Sequence, residues 1–277
     1  PRTSSAASDV YKRQWLVFQI FEKLNKLIVE WLQKPIKEYE NRSPFNLRDL
    51  ESVMQPGDIL LVDGNQRVSS AIKYLTQSTW SHAAFYLGKN NKFSQKFGTD
   101  AILIESDLKD GVIAVPLSKY EKFNTRICRP AGLSDLEKEK VIEFMIDSIG
   151  LDYDRKNIID LMRYLLPQPP VPIRFRRRML ALGSGTPSKV ICSTLIAKAF
   201  QSISYPILPV IQKEKKLKEV SYRGVKHSQY IEKEYYHIRH YSLFVPRDFD
   251  LSPFFSTIKP TIEKGFNYKE LPIRGFE

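Results

Sequence analysis

Cysteine is scarce: the 277-residue chain holds two, Cys128 and Cys192. Two thiols cannot build a disulfide framework, so the fold must rest on its core, and the chain reads as an intracellular protein with free thiols. Histidine is nearly as rare, at four residues. His227, His237 and His240 have no HxH, HExxH or CxxC context, so no zinc site and no metal cofactor is expected. No uninterrupted apolar run approaches the roughly 18 residues a bilayer-spanning helix needs. No secretory signal, RNA-recognition motif, zinc-finger spacing or Walker loop is present. Acidic residues are outnumbered, 31 against 43 basic, for a formal charge of +12. Such a surface suits anionic lipid, an acidic substrate or plain solubility. The aromatics are not interleaved with basic residues, so no specific nucleic-acid partner is expected.

What is present supports one core: 42% of the residues are hydrophobic and 12% aromatic. Pro1–Gln14 reads unlike the rest and resembles translated sequencing-adapter sequence. The chain also begins with Pro1 rather than Met, so its true N-terminus is expected to be missing. Residues 15–44 read as a helical arm and residues 45–277 as one α+β domain. From Trp15 to Tyr39 the apolar positions Leu16, Ile20, Leu24, Leu27, Ile28, Trp31 and Leu32 recur at helical steps, with Lys23, Lys26 and Lys34 among them. That amphipathic helix either packs on the domain or lies on an anionic membrane surface. The expected location is cytoplasmic, peripheral on the inner membrane in the second case.

Turns carrying Gly, Asn or Asp separate short apolar runs: Ile59–Val62, His82–Leu87, Ala101–Glu105, Val112–Val115 and Thr125–Cys128. Such spacing predicts an antiparallel sheet or small barrel rather than βαβ crossovers. Ser69–Leu75 reads as a short helix. Ser134 and Glu137 form a capping-box pattern for a helix reaching about Ser148, where Gly150 stops it. A second helix is expected over Asp154–Leu165, a loop over Pro167–Pro172, and a basic cluster follows at Arg174–Arg178. Ile211–Val220 is lysine-rich and expected to be exposed, and His237–Val245 reads as a final strand.

Cys192 stands where an apolar run becomes a helical pattern, Cys192 to Ile203. The first turn of a helix stabilises a thiolate through its dipole and free N–H groups. His82 opens a strand far earlier in the chain, and Ala84 beside it leaves room for a partner. Strand alternation puts His82, Ala84 and Tyr86 on one side and Ala83, Phe85 and Leu87 on the other. Glu105, at the end of the next apolar run, can accept from the imidazole N–H and is the expected orienting group. The pattern reads as thiol nucleophile, imidazole base and carboxylate, with the Cys192 N–H donating to the oxyanion. Gln77, Ser81 and Tyr86 are the candidates for a second donor. Cys128, mid-strand with no helix start to activate it, reads as structural.

Gln55-Pro56-Gly57-Asp58-Ile59-Leu60, Ser81-His82-Ala83, Leu103-Ile104-Glu105 and Ile191-Cys192-Ser193 occur in that order. This order resembles the circularly permuted papain-like branch of the NlpC superfamily, and within it the YiiX/YebB-like cysteine hydrolases. The resemblance spans about Leu50 to Ser204. The flanks Tyr205–Pro209 and Val245–Asp250 look like those of a longer bacterial subgroup. It implies Cys192 as nucleophile, His82 as base, Glu105 as the third polar residue and Gly57-Asp58 as a scaffold turn. It further implies an antiparallel sheet with the cysteine helix packed on it, and amidase, peptidase or acyl-hydrolase activity without a metal.

The expected reaction is cleavage of an amide or ester through an acyl-thioester. The expected partner is a small-molecule, lipid or peptide substrate. A cell-wall peptide fits the broad superfamily, and an acylated molecule fits the related lecithin retinol acyltransferase-like branch. The apolar arm and the guanidinium groups of Arg174, Arg176 and Arg177 favour the acylated molecule, since they could hold a phosphate or carboxylate near the thiol. The competing class is an inert papain-like scaffold that binds a membrane surface or a partner.

Overall fold

The structure is a computed structural model. It describes residues 19, 27, 30–36, 39–43, 46–89, 94–95, 100, 102–107, 109–151, 192–222, 225–265, 267 and 269, with backbone alone over 215–232. The expected helix Asp154–Leu165, the loop Pro167–Pro172, the basic cluster with Arg174, Arg176 and Arg177, and most of the arm lie outside the described residues.

Helix α1 (Leu47–Val53) begins in a capping box between Asn46 and Asp49. The Gly57-Asp58 turn then feeds β1 (Ile59–Asp63), followed by α2 (Arg67–Thr76), β2 (His82–Tyr86), β3 (Leu103–Asp107) and β4 (Gly111–Val115). A 3₁₀ turn at Leu117–Tyr120 leads to β5 (Asn124–Pro130) and α3 (Asp135–Asp147). After the undescribed stretch come α4 (Cys192–Ser202), β6 (Val210–Tyr222), β7 (Val225–His237), α5 (Pro246–Asp250), β8 (Phe255–Ile258) and α6 (Pro260–Glu263). Six strands form one antiparallel sheet in the order β4-β3-β2-β1-β5-β8. The fold is thus α+β on an antiparallel sheet. It is an open sheet, with β4 and β8 as its edges among the described residues.

Both faces of this sheet are covered, which is why β1 reads as an unbroken apolar run instead of an alternating one. Ile59, Leu61, Ala83, Phe85 and Ile104 pack toward one cluster, which includes Val141 and Met145 of α3 and Leu195, Ile196 and Phe200 of α4. Leu60, Val62, Ala84, Tyr86 and Leu103 join the other, with Leu50 and Met54 on the α1 side and Leu117 and Tyr120 from the 3₁₀ turn. The alternation expected for His82–Leu87 follows this division. The Ser134 and Glu137 box caps α3: Glu137 N–H donates to Ser134 Oγ (3.3 Å), and Ser134 N–H donates to the Glu137 carboxylate (2.9 Å).

Several boundaries differ from the sequence expectation. The third strand is Leu103–Asp107, so Glu105 sits mid-strand and not at its end. His237–Val245 is not a strand: β7 ends at His237, a 3₁₀ turn takes Tyr241–Leu243, and the last strand among the described residues is Phe255–Ile258. Pro246 then opens α5, where its missing N–H is tolerated. The lysine-rich stretch is exposed at Ile211–Glu214, yet it belongs to a hairpin strand, β6. Its register sets Lys213 opposite Glu234, bridged at 3.0 Å. Over 211–214 successive side chains are all exposed, so that stretch offers no hydrophobic alternation to read.

The arm does not stay helical to Tyr39. Residues 30–32 are helical and Pro35 forms an isolated bridge with Gln66, because a proline cannot continue the helical ladder. Leu32 is fully buried, whereas Leu27 and Trp31 are exposed. Ile36 N–H donates to Asn65 O (2.7 Å) and Arg67 N–H to Lys34 O (3.2 Å). Residues 34–36 therefore strap the turn between β1 and α2. Among the described residues no helix is long and apolar enough to cross a membrane.

The turn into β1 is held by a buried ion pair. Arg129 on β5 donates to both Asp58 oxygens, each at 2.8 Å, and to Val53 O. Burial raises the Asp58 carboxyl above its ordinary value even though Arg129 opposes the rise. The guanidinium thus offsets only part of the desolvation cost, and removing it strands the carboxylate. Arg129→Ala is expected to lower unfolding free energy by about 3–5 kcal/mol, read from a urea-denaturation midpoint. An unchanged midpoint would contradict this account of the turn.

Candidate active site

His82 is the first residue of β2, opposite Val62 of β1. The β2–β3 register pairs Phe85 with Ile104 and Tyr86 with Leu103. Continued along the strands, it sets Glu105 across from Ala84, on the same sheet face as His82 and one diagonal step away. Ala84 is too small to fill the space between them, and His82 Nε2 meets Glu105 Oε2 at 3.2 Å. Cys192 opens α4, which packs on β2 and α3 and brings the thiol to the other side of the ring. Cys192 and His82 line the same cavity, close enough for each to shift the other's charge state. With Nε2 engaged by Glu105, Nδ1 is the nitrogen left for Cys192.

The charges fit that geometry. Burial pushes the Cys192 thiol up, but the His82 charge, the bond to His82 and the N–H groups of Ala83 and Ser193 outweigh it and hold the thiol below its ordinary value. Burial pushes His82 down, yet the facing Cys192 thiolate and Glu105 carboxylate raise it well above the usual imidazole range. Burial likewise pushes Glu105 up, and the bonds and charges of His82 and Lys119 hold it at about 2. A thiolate–imidazolium pair is the resting form this arrangement favours. Cys128, by contrast, is buried on β5 and its thiol is driven upward by desolvation, leaving it unreactive.

Two residues that carry no sequence motif complete the site. Lys119 Nζ donates to Glu105 Oε1, and the Tyr120 hydroxyl donates to Glu105 Oε2. Burial and the Glu105 charge raise the Tyr120 phenol well above its ordinary value, so it stays protonated and donates. Glu105 is 2% exposed and its two oxygens take three partners, so the carboxylate cannot swing away from the imidazole. No periodicity signals these residues, because they sit in a four-residue 3₁₀ turn.

A cavity of about 290 Å³ joins these groups. His82, Glu105, Lys119, Tyr120 and Cys192 line it, with Val62, Val68, Ile72 and Phe123 supplying apolar wall. Of the sequence candidates for a second oxyanion donor, Ser81 reaches the cavity, but its Oγ accepts from Gly64 N–H (2.9 Å) and contacts Val62 O (3.4 Å). Gln77 and Tyr86 are not among the lining residues. The Gln77 amide bonds Tyr74 O of its own helix at 2.7 Å, and Tyr86 is buried against the α1 side of the sheet. Among the described residues, no group of three or more His, Cys, Asp or Glu side chains could hold a metal ion.

Residues 53–164 match the profile of the permuted papain-like amidase enzymes, the YaeF/YiiX or C92 family. Over that segment the chain is similar to the permuted papain-like C92 family. The family is one of papain-like amidases, and the protein is accordingly a cysteine hydrolase. The matched segment holds His82, Glu105, Lys119 and Tyr120 and ends before Cys192. The crystal structure of the metalloprotein YiiX from Escherichia coli O157:H7 is 17% identical, with a TM-score of 0.42. The alignment covers 74% of this chain and 96% of that one. Its description as a metalloprotein concerns that protein. No curated protein matches the sequence.

Proposed function

We propose that the protein hydrolyses an amide bond of an acylated molecule through an acyl-thioester on Cys192. The Cys192 thiolate attacks the carbonyl carbon, and the Cys192 N–H, free of an intrahelical acceptor at the start of α4, donates to the oxyanion. As the carbon–nitrogen bond breaks, His82 passes its proton to the leaving amine. Neutral His82 then takes a proton from water, whose oxygen displaces the sulfur and releases a carboxylic acid. Glu105 keeps the ring in line and favours its charged form throughout. The observation that carries this reading is the meeting of thiol, imidazole and carboxylate on one cavity, the ring bonded to Glu105 and electrostatically coupled to Cys192. Val62, Val68, Ile72 and Phe123 beside it support an apolar acyl part on the substrate.

Alkylation by iodoacetamide tests the resting state. Cys192 is expected to react at pH 6 much faster than free cysteine, because its thiolate is already formed. Slow labelling that rises only above about pH 8 would support an inert scaffold instead.

A further inference from the structure

Helix α2 begins without a side-chain cap. Gln66 occupies the N-cap position, and its side chain makes no bond to the first turn. Arg67 N–H is taken by Lys34 O, and Ser70 N–H starts the internal ladder on Gln66 O at 3.2 Å. Between them the N–H groups of Val68 and Ser69 have no acceptor among the described residues. A second feature coincides with this open end. Ser69 is 6% exposed, and its hydroxyl has no hydrogen-bond partner among the described residues. Ser69 Oγ packs close to Gly64, where a Cβ would stand 2.3 Å from it, so only glycine fits there. Gly64, Gln66, Val68 and Ser69 all line the cavity that holds Cys192.

The Ser69 hydroxyl and two helix-end N–H groups at the cavity have no protein acceptor among the described residues, so water or a ligand oxygen must accept from them. The helix dipole favours a negative one. Among the described residues, the charged side chains lining the cavity are His82, Cys192, Glu105, Lys119 and Asp107. The first four compensate one another in pairs, and Asp107 accepts from the N–H groups of Lys109 (2.7 Å) and Asp110 (3.2 Å). None of these carboxylates bonds the donors at the mouth of α2.

We propose that the open end of α2, with Ser69 Oγ and the Gln66 amide, is the subsite for an anionic oxygen group on the substrate, a carboxylate or a phosphate. Resting on the hydrolase reading, the inference narrows the substrate to an acylated amide that carries such an anion near the scissile bond. Residues 34–36 strap the turn that presents Gln66, so the donors are held in place before a ligand arrives.

Amide-shift titration of the full chain with inorganic phosphate, and separately with acetate, at ionic strength matched with chloride, tests the subsite. Saturable shifts at the Val68 and Ser69 amides are expected, with Ser69→Ala weakening the binding about tenfold. Tighter binding of phosphate points to a phosphorylated substrate, and tighter binding of acetate to a carboxylate. Still amides with both probes, or unchanged affinity in Ser69→Ala, would overturn the proposal. The hydrolase reading is scored separately by iodoacetamide labelling of Cys192. An inert thiol beside a working anion site would sink that reading alone, and a reactive thiol without anion binding would sink the subsite alone.

Discussion

Cys192→Ala is expected to reduce amide hydrolysis by roughly 10⁴–10⁶-fold while leaving the fold in place. The sulfur is the atom that bonds to the acyl group, and no other described thiol can replace it: Cys128 is buried on β5 with its thiol driven upward. The structural loss is small. Cys192 is a small side chain at the very start of α4, and that helix is anchored by Leu195, Ile196 and Phe200 in the core. Far-ultraviolet circular dichroism and the urea midpoint should therefore stay near those of the unmodified protein, as turnover of an N-acyl amide disappears. Hydrolysis surviving at close to the original rate would end the proposed mechanism, and a collapsed fold would show that Cys192 matters chiefly for packing.

Glu105→Gln should cost roughly 10²–10⁴-fold in rate and, more tellingly, should narrow the pH profile. The active pair exists between two limits. Below the lowered Cys192 value the thiol regains its proton, and above the raised His82 value the imidazole loses its own. The carboxylate helps to raise His82, so an uncharged amide at position 105 moves the alkaline limb to lower pH. A less readily protonated ring stabilises the thiolate less, so the acid limb moves to higher pH. Lys119→Met should act oppositely on the alkaline limb. It removes the cation that compensates Glu105 and exposes His82 to the full carboxylate charge. Among the described residues, the remaining charged or titratable groups in the cavity, Asp107 and Tyr120, are unchanged in both variants. Opposite movements of the alkaline limb in kcat/KM would establish Glu105 as electrostatically coupled to the ring. Parallel movements, or none, would reduce it to a packing residue.

The sequence made some of this site legible and hid the rest for definite reasons. Cys192 and His82 stand out because each begins an element whose pattern is strong: an apolar run turning helical, and an apolar strand entered through Trp80-Ser81. Glu105 was readable as a carboxylate in the next apolar run, although the strand continues past it to Asp107. Lys119 and Tyr120 gave no signal, since a 3₁₀ turn has neither helical nor strand period. Gln77 and Tyr86 looked plausible by nearness in sequence to His82. The first instead caps its own helix in a left-handed conformation, and the second is in the core. The β6–β7 hairpin was unreadable because its described side chains, at 210–214 and 233–237, are exposed and carry no burial alternation.

Local pattern by itself determined the apolar strands β1 and β2, the capped start of α3 and a cysteine at the start of a helix. Those features follow from which residues a short segment must bury and which N–H groups it must satisfy, and both are set within a few residues. Only the tertiary structure decided that Lys119 and Tyr120 fix Glu105, that residues 34–36 strap the turn before α2, and that Ser69 faces the cavity of Cys192. Those meetings depend on strand register and on chain closure over long separations, which local burial does not encode.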